Sequence, residues 1–133
     1  MYELSPPDKV FAFDASKLKA PDVSLWTAWN GEMLLGCAAL KEISATQGEI
    51  KSMRTPSTLR RAGAGRALLS HIIAVARSRA YQMLYLETGR QPAFFPAHAL
   101  YESVGFKPCG PFGPYRENGN SVFMALSLAQ RAT

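Results

Sequence analysis

The chain is poor in the residues that usually announce metal or thiol chemistry: 133 residues hold two cysteines and two histidines. Cys37 and Cys109 lie far apart in apolar surroundings, with neither a CxxC nor a zinc-ligand spacing, so both read as reduced, packed thiols, and no metal is expected. Cys109 as an acyl-carrying nucleophile would need a base beside it, and nothing in the sequence supplies one. His71 falls near the apolar face of a helical run and His98 near a helix start, and neither receives a catalytic role. No apolar run approaches the roughly 18 residues of a membrane span. The opening Met1–Asp8 lacks the basic region and apolar stretch of a signal peptide, so a cytoplasmic chain away from membranes is expected. Repeats, low-complexity tracts and dividing linkers are also missing. With 47% hydrophobic and 19% charged residues, the length suits one domain over 1–133.

A second absence is more informative. Between Ile50 and Leu86 there is no Asp or Glu, yet seven basic residues occur there: Lys51, Arg54, Arg60, Arg61, Arg66, Arg77 and Arg79. The net charge of +5 is thus concentrated in the middle of the chain. Such a patch fits either an anionic partner, a phosphorylated small molecule or a nucleic acid, or a solvated helix face. Aromatics are not interleaved with the basic stretch as a single-strand platform requires, so nucleic acid is disfavoured.

Periodicity gives the order of elements. Ser24–Trp29 and Met33–Ile43 are strand-like runs around Asn30-Gly31-Glu32, a hairpin signal. "GEIKSMRT" at 48–55 reads as a third strand with Glu49, Lys51, Met53 and Thr55 on one face. Charge on both faces of that run is odd for a central strand. From Gly65 to about Arg79, Leu68, Leu69, Ile72, Ile73 and Ala76 recur at helical spacing. "MLYLET" (83–88) is a strand, "PAHALYESVGF" (96–106) a helix closing near Gly105, and "FKPC" and "SVFMALSL" are two further strands around a Gly/Pro/Asn-rich loop. The order ββ, β, α, β, α, β, β predicts an α+β fold whose mixed sheet is mostly antiparallel, with a right-handed crossover making the third and fourth strands parallel.

The turn from the third strand into the first helix carries "LRRAGAGRALL" (59–69). Gly63 and Gly65 let backbone N–H groups converge on an anion at a helix N-terminus, and the arginines can flank a diphosphate. The stretch is not a P-loop, and Leu68 stands where a dinucleotide fingerprint needs a third glycine. Glycines serving only tight strand-to-helix packing remain the competing explanation.

Arg60-Arg61-Ala62-Gly63-Ala64-Gly65 matches the R/Q-x-x-G-x-G/A signature of the GNAT superfamily of acetyl-CoA-dependent N-acetyltransferases, and "ALYESVGF" (99–106) resembles its second hallmark, ALYxxxGF. "GEIKSMR", "LETG", "PFGPY" and "NSVFM" are similar to a subgroup of small bacterial acetyltransferases, and the resemblance spans about 24–128. It implies the acyl-CoA N-acyltransferase fold, in which the third strand splays from the fourth and the pantetheine arm fills the gap like an added strand. It implies acetyl-CoA as co-substrate, with backbone N–H groups from Arg61 to Arg66 on the pyrophosphate. Met53, Arg54, Thr55, Arg60, Arg61, Ala62, Gly63, Ala64, Gly65, Arg66, Thr88 and Tyr101 are then the cofactor-binding set, and an N–H near Met53 polarises the thioester carbonyl.

By the same resemblance Tyr101, in the ALYxxxGF motif, donates a proton to the departing thiolate, and Glu49, sixteen residues before Gly65, helps deprotonate the acceptor amine. A carboxylate of ordinary pKa near 4.3 is a weak base for an amine, so burial or a water relay is required. Each has a structural alternative: a core aromatic for Tyr101, a carboxylate paired with Lys51 or an arginine for Glu49. Lys51, Glu87 and Tyr115 are expected to line the acceptor site, joined by Arg54 and Arg90, and such cations suit an acceptor bearing a carboxylate. A small-molecule or peptide amine is the expected acceptor. A non-catalytic acetyl-CoA sensor, another acyl group and a non-amine acceptor remain open.

Only 23 residues precede the hairpin, and they show no period-two strand, so the family's usual first strand is expected to be missing. Ser24–Trp29 would then form an open sheet edge, covered by a symmetric partner in a homodimer or by the N-terminal segment folding back.

Overall fold

A computed structural model describes residues 3–5, 23–54 and 63–128, and within them seven strands form one sheet in the order β1-β2-β3-β4-β5-β7-β6. β1 (Glu3–Ser5) is a strand the sequence does not reveal, and it pairs antiparallel with Thr27–Trp29 of β2 (Val23–Asn30). The expected open edge is therefore closed over those three residues. Three residues are too few for alternation to register, and their pairing is dictated by the neighbouring strand.

β2 and β3 (Met33–Ser44) form the expected hairpin, but the positive φ falls on Gly31 at +60° and not on its neighbour Glu32. Asn30 is the last residue of β2, opposite Met33, so the loop is Gly31-Glu32 with glycine at its first position, as a type II′ turn demands. β4 (Gln47–Arg54) follows antiparallel to β3. Cys37 faces Arg54 and Ala39 faces Lys51, so β4 carries one residue more than β3 across this stretch, a β-bulge at Ser52–Met53.

α1 (Ala64–Ser78) crosses back over the sheet, burying Leu68, Leu69, Ile72, Ile73 and Ala76, the stripe that the spacing predicts. Against it pack Leu35, Leu40, Ile50 and Leu84 from the strands. Truncating a fully buried leucine such as Leu68 to alanine would cost about 2–5 kcal/mol. β5 (Met83–Gly89) then runs parallel to β4, the crossover that the order of elements requires. Gly48 is needed at this junction: a Cβ there would lie 2.9 Å from the Tyr81 ring and 3.0 Å from Leu40.

A short 3-10 turn (Pro92–Phe94) leads into α2 (Phe95–Ser103), which closes through Gly105 at φ +108° as expected. β6 (Lys107–Cys109) and β7 (Ser121–Ser127) complete the sheet, β7 lying antiparallel between β5 and β6. The sheet is thus mostly antiparallel with a single parallel pair.

Candidate active site

That parallel pair is short. Gln47–Ile50 pairs with Met83–Leu86, and beyond Ile50 and Leu86 the two strands are no longer joined. Their divergence opens a cleft of about 440 Å³ whose walls include Glu49, Lys51, Met53, Glu87, Thr88 and Tyr101. Six residues that spacing or motif singles out therefore meet in one space. Tyr115, from the loop between β6 and β7, joins them. The charge at Glu49 and Lys51 of β4 now has a reason: both side chains line the cleft, together with Ile50 and Met53, which also pack against the core.

Glu49 is only 4% exposed, and among the described residues its partner is Tyr115 and neither Lys51 nor an arginine. The Tyr115 hydroxyl donates to its Oε2 at 2.7 Å. No buried side-chain polar atom among the described residues lacks a partner, so Oε1, which makes no bond of its own, faces the cleft. Burial, the hydrogen bond to Glu49 and the nearby Glu49 and Glu87 charges push the Tyr115 phenol far above its usual range. Tyr101 reaches the cleft from α2, and burial raises its phenol pKa too. Its ring meets Phe106 edge-on at 5.9 Å, so the motif tyrosine is both a core aromatic and a cleft residue.

The other end of the site is the start of α1. Gly63 at its N-cap takes a left-handed conformation (φ 84°, ψ 4°), supplies no side-chain cap, and is followed by a first turn without acidic residues. The first helical bond is Ala67 N–H to Gly63 O at 3.0 Å, so the N–H groups of Ala64, Gly65 and Arg66 lack intrahelical acceptors. Arg66 is exposed at this rim, its guanidinium donating to Ser103 Oγ at 3.3 Å.

Residues 1–106 match the model of the acetyltransferase (GNAT) family. The chain belongs to that family. It is 48% identical over 125 residues to the uncharacterized N-acetyltransferase YsnE of Bacillus subtilis, covering 94% of this chain and 83% of the relative. Among solved structures it resembles an acyl-CoA N-acyltransferase assigned in Klebsiella pneumoniae, with a TM-score of 0.84, 27% identity and coverage of 97% and 99% of the two chains. A Bacillus subtilis acetyltransferase in complex with CoA shares the fold at a TM-score of 0.76 and 18% identity over 97% and 100% of the chains.

GNAT enzymes take their acyl group from acetyl-CoA, and this chain is an acyltransferase of that type. The residues present fit the donor: amides without intrahelical acceptors at a glycine-capped, acid-free helix start suit a diphosphate, and the edges of β4 and β5 that are not joined to each other suit an extended pantetheine. Among the described residues no group of three or more His, Cys, Asp or Glu comes together that could hold a metal, and no helix is long and apolar enough to cross a membrane.

Of the sequence-derived site residues, Thr55, Arg60, Arg61 and Ala62 lie outside the described residues. Arg90 is exposed beside the cleft, its guanidinium donating to the Ser121 carbonyl at 3.1 Å. Glu87 accepts from Ser121 Oγ at 2.6 Å. His98 Nε2 contacts the Gly89 carbonyl at 2.8 Å, tying α2 to the end of β5. Sequence reasoning missed Gly89, Phe94, Ala97 and Ser121, which also line the cleft. A usable signal existed: ligands gather at the carboxyl ends of parallel strands, so "RQPAFF" directly after β5 was a place to look.

Proposed function

We propose that the chain transfers an acetyl group from acetyl-CoA to the amine of a small molecule, of a kind bearing a carboxylate, or of a peptide, by direct attack within a ternary complex. One observation carries this reading: Glu49, with an oxygen open to solvent, and Tyr101 face the same cleft where β4 and β5 part. Backbone N–H groups at the start of α1 and Arg66 beside them hold the pyrophosphate, and Met53 and Thr88 border the pantetheine and thioester; the family resemblance assigns Arg60, Arg61, Arg54 and Thr55 to the same donor.

Bound acetyl-CoA supplies an activated thioester to this site. The β-bulge at Ser52–Met53 frees a backbone N–H from the ladder, which takes up charge developing on the thioester carbonyl oxygen. Glu49 accepts the proton that the acceptor ammonium must lose before its lone pair attacks. Tyr101 gives its phenolic proton to the sulfur as the carbon–sulfur bond breaks, and a phenol kept protonated by burial is ready to do so. Lys51 makes no ion pair among the described residues, which leaves its ammonium available to an acceptor carboxylate.

The test is thiol release from acetyl-CoA against a panel of amino acids, polyamines and short peptides. Turnover with amines, strongest for those carrying a carboxylate, is expected. Tight acetyl-CoA binding with no thiol release across the panel would overturn the reading in favour of a sensor.

A further inference from the structure

The loop between β6 and β7 contains "PFGPY", Pro111 to Tyr115, which the reaction as described leaves without a task. Tyr115 N–H donates to the Phe112 carbonyl at 3.1 Å, closing a four-residue turn. Gly113 occupies its second position at φ +56°, and Pro114 fixes the third. The turn sets the Phe112 and Tyr115 rings edge to face with centroids 5.1 Å apart. Phe112 in turn stacks on Tyr85 of β5 at 4.8 Å and meets Phe123 of β7 at 5.8 Å, while Tyr115 itself meets Phe123 at 5.9 Å. The loop is thereby fastened to the two strands on one side of the cleft. Its single O–H donor ends on a carboxylate of the third, Glu49 of β4.

We propose that Tyr115 is a positioning residue, held by the Phe112–Tyr115 turn and its aromatic neighbours so that its hydroxyl fixes Glu49 with Oε2 bonded and Oε1 turned to the acceptor. This rests on Glu49 acting as the base. It adds a task to the sequence-based expectation that Tyr115 lines the acceptor site, because its hydroxyl proton is committed to Glu49. A carboxylate with one oxygen tethered by a neutral donor loses rotational freedom while keeping its charge and one open lone-pair face, which is the arrangement proton abstraction needs.

Two substitutions test the assignment on the full chain, using the amine from the panel that gives the fastest thiol release. Tyr115→Phe keeps the ring and removes the hydroxyl. Gly113→Ala leaves every cleft residue in place, and a Cβ there meets nothing within 4 Å, so it acts only through the strain of its positive φ. Tyr115→Phe should lower kcat about tenfold with KM for the amine little changed, and Gly113→Ala should reproduce part of that loss. In a Glu49→Gln background neither should have a further effect. The acidic limb of the rate profile should move in Tyr115→Phe, since the donor that holds the base is gone. Unchanged kcat and an unmoved acidic limb in Tyr115→Phe would overturn the proposal, as would a rise in amine KM that persists in the Glu49→Gln background. Full turnover in Glu49→Gln alone would instead overturn the base assignment beneath it.

Discussion

Tyr101 and Tyr115 enter one cleft from different elements, and their environments separate their duties. The Tyr101 hydroxyl makes no hydrogen bond among the described residues and the residue is 7% exposed, so the phenolic proton is free to leave toward the cleft. Tyr101→Phe keeps the packing against Phe106 and should lower kcat by about 10² with acetyl-CoA affinity nearly constant, as checked by turnover beside calorimetric binding. Full activity in that variant would remove it as the acid. Both phenols also bear on alkaline stability. Their folded pKa values lie above the ordinary value near 10, so above pH 10 the unfolded chain gives up protons that the folded chain keeps. Stability is therefore complete below pH 10 and declines as pH rises from there, by at most about 1.4 kcal/mol per pH unit for each tyrosine. Denaturant titrations from pH 9 to 11.5 should show that decline, with a shallower slope in Tyr115→Phe. A slope equal to that of the parent chain would show that Tyr115 ionises as readily folded as unfolded.

At the scale of elements, α1 illustrates what a sequence states openly. Its apolar stripe and the glycines at its start are local signals, and the helix forms where they place it. Gly63 is fixed by its left-handed conformation, which costs a residue with a Cβ roughly 1–2 kcal/mol. Gly63→Val should lower the melting temperature and abolish the rise that acetyl-CoA produces in the parent, since a side chain would also crowd the approach of a diphosphate to the backbone at the helix start. A folded variant that keeps the full rise would dissociate this turn from donor binding. Other elements were legible only in part. β1 is held by its pairing with β2 and has too few residues to announce itself. The Tyr115–Glu49 bond joins positions 66 residues apart, and the Phe94 wall of the cleft depends on how the turn after β5 folds back over Gly89. Such contacts are set by tertiary geometry, to which spacing along the chain is blind. The motifs at 60–65 and 99–106 pointed to the correct family, while the tether of Glu49 had no counterpart in either.

Among the described residues, the four residue pairs between β4 and β5 are the only strand pairing between an amino-terminal meander, β1 to β4, and a carboxy-terminal group, β5 to β7. Functionally that economy leaves the cleft open. It has a further consequence for the route by which the chain reaches this structure. The β2–β3 and β3–β4 contacts are local hairpins, whereas the parallel seam needs a loop closed from Ile50 to Leu86 around α1, and the β5–β7 pairing one of similar length, an entropic cost that the hairpins do not bear. The amino-terminal hairpins should therefore organise first and the seam late, on the native side of the folding barrier. Ile50→Val and Leu86→Ala should chiefly accelerate unfolding and leave the refolding rate almost unaltered, with φ-values near zero, while Leu35→Ala in the β2–β3 hairpin should slow refolding. Chevron plots would decide it, and high φ-values at Ile50 and Leu86 would mean that the seam is the nucleus. If it closes last, the parting of strands that admits the cofactor is also where the folded chain first comes undone, so acetyl-CoA bridging the seam should act as a kinetic brake on unfolding.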